Sequence, residues 1–197
     1  MNELEQMAGD SGTVPSPAEK ELRSGGTLLP DWRSWVRDLG ISLILAGIVI
    51  VFLYQPVKVE GTSMMPRLVD QERIFINKFV YQLGPISRGD VVVFRYPFDP
   101  AKSYIKRVVG LPGETVRLVN GTVFINGRKL EEGYVGEEFR DRQSQAPLVI
   151  PPDQYYVLGD RRNSSNDSRV WGPVPQQYIY GKAVFAYWPM NRLGFLP

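Results

Sequence analysis

From Leu39 to Val57 the chain is almost wholly apolar, and no formal charge falls between Asp38 and Lys58. These nineteen residues, at a rise of about 1.5 Å each, make a helix of roughly 28 Å, close to the roughly 30 Å hydrocarbon core of a bilayer. The run has no polar face, as a helix of a soluble core would. Tyr54-Gln-Pro-Val-Lys58 also lacks the small-x-small site of a cleaved leader. Trp32, Trp35 and Tyr54 lie where interfacial aromatics belong. The pattern predicts an interfacial segment and a retained transmembrane helix over 32–57. Four basic residues in the twenty before Leu39, against three in the twenty after Val57, put the N-terminus on the cytoplasmic side by a margin of one.

Beyond Lys58 the pattern turns strand-like almost throughout. Segments 73–80, 90–96, 104–109, 155–158 and 183–188 are short, β-branched or aromatic, and bounded by Gly, Pro and Asp. Asn120-Gly121 and Asn126-Gly127 each separate apolar runs, the strongest short-range hairpin signal. No long amphipathic helix, repeat or Gly-rich phosphate loop occurs, so 58–197 reads as all-β. Residues 1–31, rich in Gly, Ser, Pro and charge, read as a disordered tail.

Composition narrows the chemistry. With 23 basic and 21 acidic residues among 197, the chain gives no electrostatic case for nucleic acid. Residues 58–197 hold 19 basic and 14 acidic residues, a surplus that suits lying on anionic lipid or simply a solvated surface. The absence of Cys and His removes thiolate nucleophiles, Cys- or His-ligated metal and any imidazole base. Acid–base work falls to Lys, Asp, Glu or Tyr.

Three segments stand out in a β-domain. In Val59-Glu-Gly-Thr-Ser63-Met-Met-Pro-Arg-Leu68, Ser63 is either a nucleophile or a hydroxyl that caps a turn. In Tyr104-Ile-Lys106-Arg-Val-Val109, alternation sets Lys106 and Arg107 on opposite faces, so whichever face is buried receives a cation. A desolvated Lys loses affinity for its proton and can act as a base near neutral pH; an edge-strand Lys would instead snorkel to water. The third segment, from Leu158 to Val174, is dense in hydroxyls and opposed charges. It either braces a site or offers oxygen ligands to a metal, although its three Arg would repel a divalent cation.

Taken together, these segments resemble the type I bacterial signal peptidases, membrane-anchored Ser–Lys endopeptidases. The resemblance covers about residues 32 to 197. It rests on the anchor, Gly61-Thr-Ser-Met-Met-Pro66, Arg88-Gly-Asp-Val-Val-Val-Phe94, Tyr104 to Glu114, and Gly159-Asp-Arg-Arg-Asn-Ser-Ser-Asn-Asp-Ser-Arg-Val-Trp-Gly-Pro-Val-Pro175, in that order. It implies a signal-peptidase-like β-fold with a small inserted β-hairpin subdomain, behind one N-terminal transmembrane helix. Ser63 would be the nucleophile and Lys106 its base, with Ser165 steadying the Lys. Asp160, Asp167, Arg169 and Arg107 would support the site. Val59, Met64, Tyr104 and Ile105 would line shallow pockets for small residues before the cut. The substrates would be signal peptides of exported precursors, cut by a domain on the outer side of the bacterial plasma or inner membrane. No cofactor or metal is implied.

The chain departs from the family pattern at Arg67, where Thr is usual, at Arg161, where Asn is usual, and at Ser164, where Asn is common. Arg67 is expected to face the groove and favour acidic or polar residues just past the cut. Two rival readings share parts of the pattern. One is a self-cleaving Ser–Lys repressor-type protease, for which residues 1–31 offer no helix-turn-helix. The other is a non-enzymatic, membrane-tethered β-domain, which gives no reason for the three segments to occur together.

Overall fold

Two antiparallel sheets hold most of the chain after residue 53. The computed structural model describes residues 32–196, without the side chains of residues 50–52. The tail expected over 1–31 lies outside the described residues. By its internal contacts the chain splits between Ala46 and Gly47 into two units.

Helix α1 (Trp32–Leu53) carries the apolar run and exposes Trp32, Leu43 and Ile44. Among the described residues, no helix is long and apolar enough to cross a membrane. The helix also stops four residues short of the expected Val57, because Tyr54–Lys58 form strand β1. Pro56 has no N–H to give a helix and its ring would clash with the preceding turn, whereas an edge strand accepts it. Strand β1 pairs with β2 (Arg73–Asn77), from Tyr54↔Asn77 to Lys58↔Arg73.

The remaining elements follow in order: α2 (Val80–Leu83), β3 (Val91–Tyr96), β4 (Asp99–Gly110), β5 (Thr115–Val119), β6 (Thr122–Ile125), β7 (Arg128–Lys129), β8 (Gln145–Val149), β9 (Gln154–Leu158), α3 (Ser168–Trp171), β10 (Val174–Pro175), β11 (Ile179–Trp188) and β12 (Gly194–Phe195). The larger sheet runs β1-β2-β11-β3-β4-β9-β10, with β12 attached to β11. In central β3, Val91, Val92, Val93 and Phe94 are all buried, so both faces are covered and the sequence reads as a continuous apolar run. One face packs Val59, Met64, Leu68, Ile74 and Val93. The other packs Val92, Phe94, Val108, Val157 and Val174.

The insertion between β4 and β9 is more than the expected hairpin. It is a four-stranded sheet, β7-β6-β5-β8. A lone hairpin cannot bury a core; here Val116, Leu118, Val123 and Ile125 cluster with Val109, Tyr156 and Leu158 of the larger sheet. Both Asn-Gly turns have positive φ at each residue (48° and 77°, then 50° and 79°), the type I′ geometry the sequence predicts.

Candidate active site

Ser63 sits on a tight turn held from both sides. The Met65 amide donates to the Thr62 carbonyl at 3.1 Å and Leu68 to Met64 at 2.9 Å, while buried Met64 and Leu68 root the turn in the core. Gly61 precedes it at φ 93°, a left-handed conformation that only glycine adopts freely, and its amide donates to Asp70 Oδ1 at 2.7 Å.

Strand β4 brings Lys106 to this turn, and its Nζ donates to Ser63 Oγ at 2.6 Å. Lys106 is 3% exposed and forms no ion pair among the described residues. Burial brings its pKa down from 10.5 to about 8; Asp167 and Asp160 pull against that, and Arg169 adds to it. The arrangement holds an amine that can lose its proton against a hydroxyl oxygen, which is what base activation of a nucleophile requires.

The loop after β9 fastens to the same turn. The Arg161 amide donates to the Ser63 carbonyl at 3.0 Å. A Cβ on Gly159 would lie 2.2 Å from Ser165 Oγ and 2.6 Å from the Ser63 carbonyl oxygen, so only hydrogen fits there. Asp167 accepts from the Gly159 amide at 3.0 Å and caps α3 through the Arg169 amide at 3.3 Å. Arg169 returns its guanidinium to Asp167 at 2.7 Å, and pairs also with Asp141. Arg107 grips Asp160 with two bonds of 2.8 and 2.7 Å and reaches the Gly89 carbonyl at 2.7 Å.

The structure thus brings Ser63 and Lys106 together and sets Asp160, Asp167, Arg169 and Arg107 in a buried scaffold behind them. Ser165 stands differently from expectation: its Oγ is buried and, among the described residues, makes no hydrogen bond, to Lys106 included. Val59, Tyr104 and Ile105 line an open groove of about 370 Å³ together with Val57, Ser63, Ile74, Val93 and Lys106. Met64 does not line it; its unbranched side chain fills the core under the turn instead. Arg67 also turns away, donating to the Phe195 carbonyl at 2.7 Å.

Sequence reasoning missed Glu132, Tyr134, Asp141 and Arg162. Arg162 is buried, bonds the Gly159 carbonyl at 3.0 Å through Nε and pairs with Glu132. Tyr134 donates to Glu132 at 2.9 Å, and its ring lies 4.2 Å from the Arg107 guanidinium carbon. Arg162 has no apolar neighbour in sequence to signal burial, and Glu132 and Asp141 come from the insertion, 30 and 28 positions from their partners. Among the described residues no cluster of three or more Asp or Glu is placed to hold a metal; Asp160 and Asp167 are committed to guanidinium groups.

Comparison with known proteins agrees with this layout. Residues 32–188 match the family model described as signal peptidase, peptidase S26. A signal peptidase I of Leptolyngbya laminosa is 38% identical over 195 residues, 95% of either chain. Signal peptidase I P of Bacillus subtilis subsp. natto is 35% identical over 184 residues, 89% of this chain and 97% of that one. A probable signal peptidase I-1 of Synechocystis is 40% identical over 166 residues, 80% of this chain and 83% of that one. A serine held against a desolvated lysine, in a chain so matched along its length, makes this protein a member of the signal peptidase family, peptidase S26.

Proposed function

We propose that the protein is a membrane-anchored serine endopeptidase that removes N-terminal signal peptides from exported precursors, cutting after small residues. What carries this reading is the 2.6 Å contact between Lys106 Nζ and Ser63 Oγ, with the amine buried and unpaired. Neutral Lys106 takes the Ser63 proton as the oxygen attacks the scissile carbonyl. The Ser63 backbone N–H is one oxyanion donor, a contribution worth roughly 3–4 kcal/mol of barrier in such sites. Protonated Lys106 then gives its proton to the leaving amine, and the neutral base activates the water that releases the acyl group.

The groove supplies the rest. Residues 103–105 of β4 pair with β3 on one side only, since β9 joins from Arg107 onward. An extended peptide adding along that free edge would lie with its side chains against Val59, Tyr104 and Ile105, which would select small residues such as Ala by excluding larger ones. Arg107, Asp160, Asp167 and Arg169 fix the position of β4 relative to the loop behind the Ser63 turn. Ser165, lying against Gly159 beside the turn, is the hydroxyl that can swing to Lys106 as its charge develops.

The apolar helix ending at Leu53 acts as a single-pass anchor, with the N-terminus cytoplasmic and the peptidase domain outside. Ten residues from Leu53 to Ser63 can span at most roughly 35 Å, which tethers the nucleophile within reach of the lipid surface where precursors emerge. A serine-directed acylating probe tests the reading: labelling of the full chain that disappears in Ser63→Ala and Lys106→Arg supports it, and labelling that persists in Ser63→Ala sinks it.

A further inference from the structure

Four arginines surround the loop that braces the Ser63 turn, and three of them are neutralised. Arg107 is paired with Asp160, Arg162 with Glu132, and Arg169 with both Asp167 and Asp141. Arg161 is different. It has no carboxylate within ion-pair range among the described residues. Its Nε is buried without a hydrogen bond, its Nη1 reaches only Met65 Sδ at 4.0 Å, and its guanidinium carbon is 5.8 Å from the Phe139 ring centre. That ring contact is at the outer limit of a cation–π interaction, and a buried donor without a partner calls for an explanation.

Its placement supplies one. The Arg161 amide is bonded to the Ser63 carbonyl, so the guanidinium is carried by a backbone fixed to the nucleophile's own turn. Arg161, Met65 and Phe139 all lie outside the groove that holds Val59, Tyr104 and Ile105. A peptide that fills this groove up to Ser63 must continue beyond it, and the Arg161 guanidinium is a cation without a carboxylate partner carried beside that turn.

We propose that Arg161 is a specificity-determining residue for the segment just past the cut, taking an acidic side chain at the first or second position of the released chain and disfavouring a basic one. The proposal rests on the peptidase reading above. It moves to Arg161 the charge selection that the sequence suggested for Arg67, whose Nη2 donates to the Phe195 carbonyl although its Nε, too, is buried without a hydrogen bond.

The test uses the full chain in lipid vesicles and peptides with one common small-residue cleavage motif, differing only by Glu, Gln or Lys at the two positions after the cut. At low salt the wild type should prefer Glu over Lys by about five- to tenfold in kcat/KM. The ratio should fall toward one at about 1 M salt, where the screening length is about 3 Å. Arg161→Lys should keep the ranking, Arg161→Asn should flatten it and Arg161→Glu should invert it; a merely structural role for Arg161 would change rates without inverting the ranking. The same Glu preference in Arg161→Asn as in wild type, or no preference in wild type, overturns the proposal. A wild type that cuts none of the peptides and leaves Ser63 unlabelled by the acylating probe overturns the peptidase reading itself, and this one with it.

Discussion

Lys106 and Arg107 are adjacent in β4 and equally buried, at 3% and 2% exposure, yet only Arg107 has a carboxylate. Their side chains leave opposite faces of the strand. Arg107 meets Asp160 in a two-bonded pair. Lys106 meets a hydroxyl and is left able to lose its charge. One strand therefore holds a structural cation and a candidate base side by side.

Activity should follow that difference. With a pKa of about 8, roughly a tenth of Lys106 is neutral at pH 7, so the rate should climb on an acidic limb centred near pH 8. Lys106→Arg, folded but unable to deprotonate, should lose activity by at least about a thousandfold. Initial rates between pH 6 and 10 check both; substantial activity in Lys106→Arg removes Lys106 from the base role.

The same burial has a cost in stability. The folded pKa of about 8 lies below the ordinary 10.5, so between those values the unfolded chain binds the extra proton and stability rises with pH. Below about pH 8 the penalty is of order 3 kcal/mol. Lys106→Met should unfold at higher denaturant concentration than wild type at pH 7, with the gap closing by pH 10.5. A gap independent of pH would mean that Lys106 is not desolvated.

Gly121→Ala should reach the site from a distance. Gly121 has φ 77°, and an added Cβ would lie 2.1 Å from the Asp141 carbonyl oxygen; Asp141 in turn pairs with Arg169. The substitution should cost about 1–3 kcal/mol and lower peptide cleavage, whereas the turn residue Gly127, with nothing near its Cβ position, should lose stability when changed to Ala without the same loss of rate.

Breaking the buried pair Arg162–Glu132 on one side should be worse than removing it. Arg162→Met alone should destabilise by about 3–5 kcal/mol, and the double change with Glu132→Leu by clearly less. Chemical denaturation of both variants decides it; equal losses would show that the pair carries no buried charge penalty.

Arg67→Thr should leave cleavage preferences past the cut unchanged, because its guanidinium already donates to Phe195. A shifted preference in matched peptides would show that Arg67 leaves that carbonyl when substrate binds.

Much of this was legible in the chain itself. The β-branched run 90–96 announced a strand, and the Asn-Gly pairs announced the two I′ turns. Ser63 and Lys106, 43 positions apart, were singled out because each sat oddly in its own segment. What could not be read were groups whose meaning depends on a distant partner. Glu132 and Asp141 look like any insertion carboxylates until β5–β8 fold them against Arg162 and Arg169. Met64 looked like a pocket wall because nothing in its sequence tells inward from outward on a turn. The end of α1 could have been placed at Pro56, a residue a helix interior excludes.

The burial of Lys106 has one more consequence, for timing. In a chain not yet folded, Lys106 is an ordinary lysine, and fewer than roughly one in a thousand would be neutral at pH 7. In the proposed mechanism the base comes into being only when β3, β4 and β9 have closed around it and the loop has locked onto the Ser63 turn. Folding is then the activating event, performing for this protein what the excision of an inhibitory segment performs for a zymogen. A nascent or damaged copy carries its serine in a harmless form.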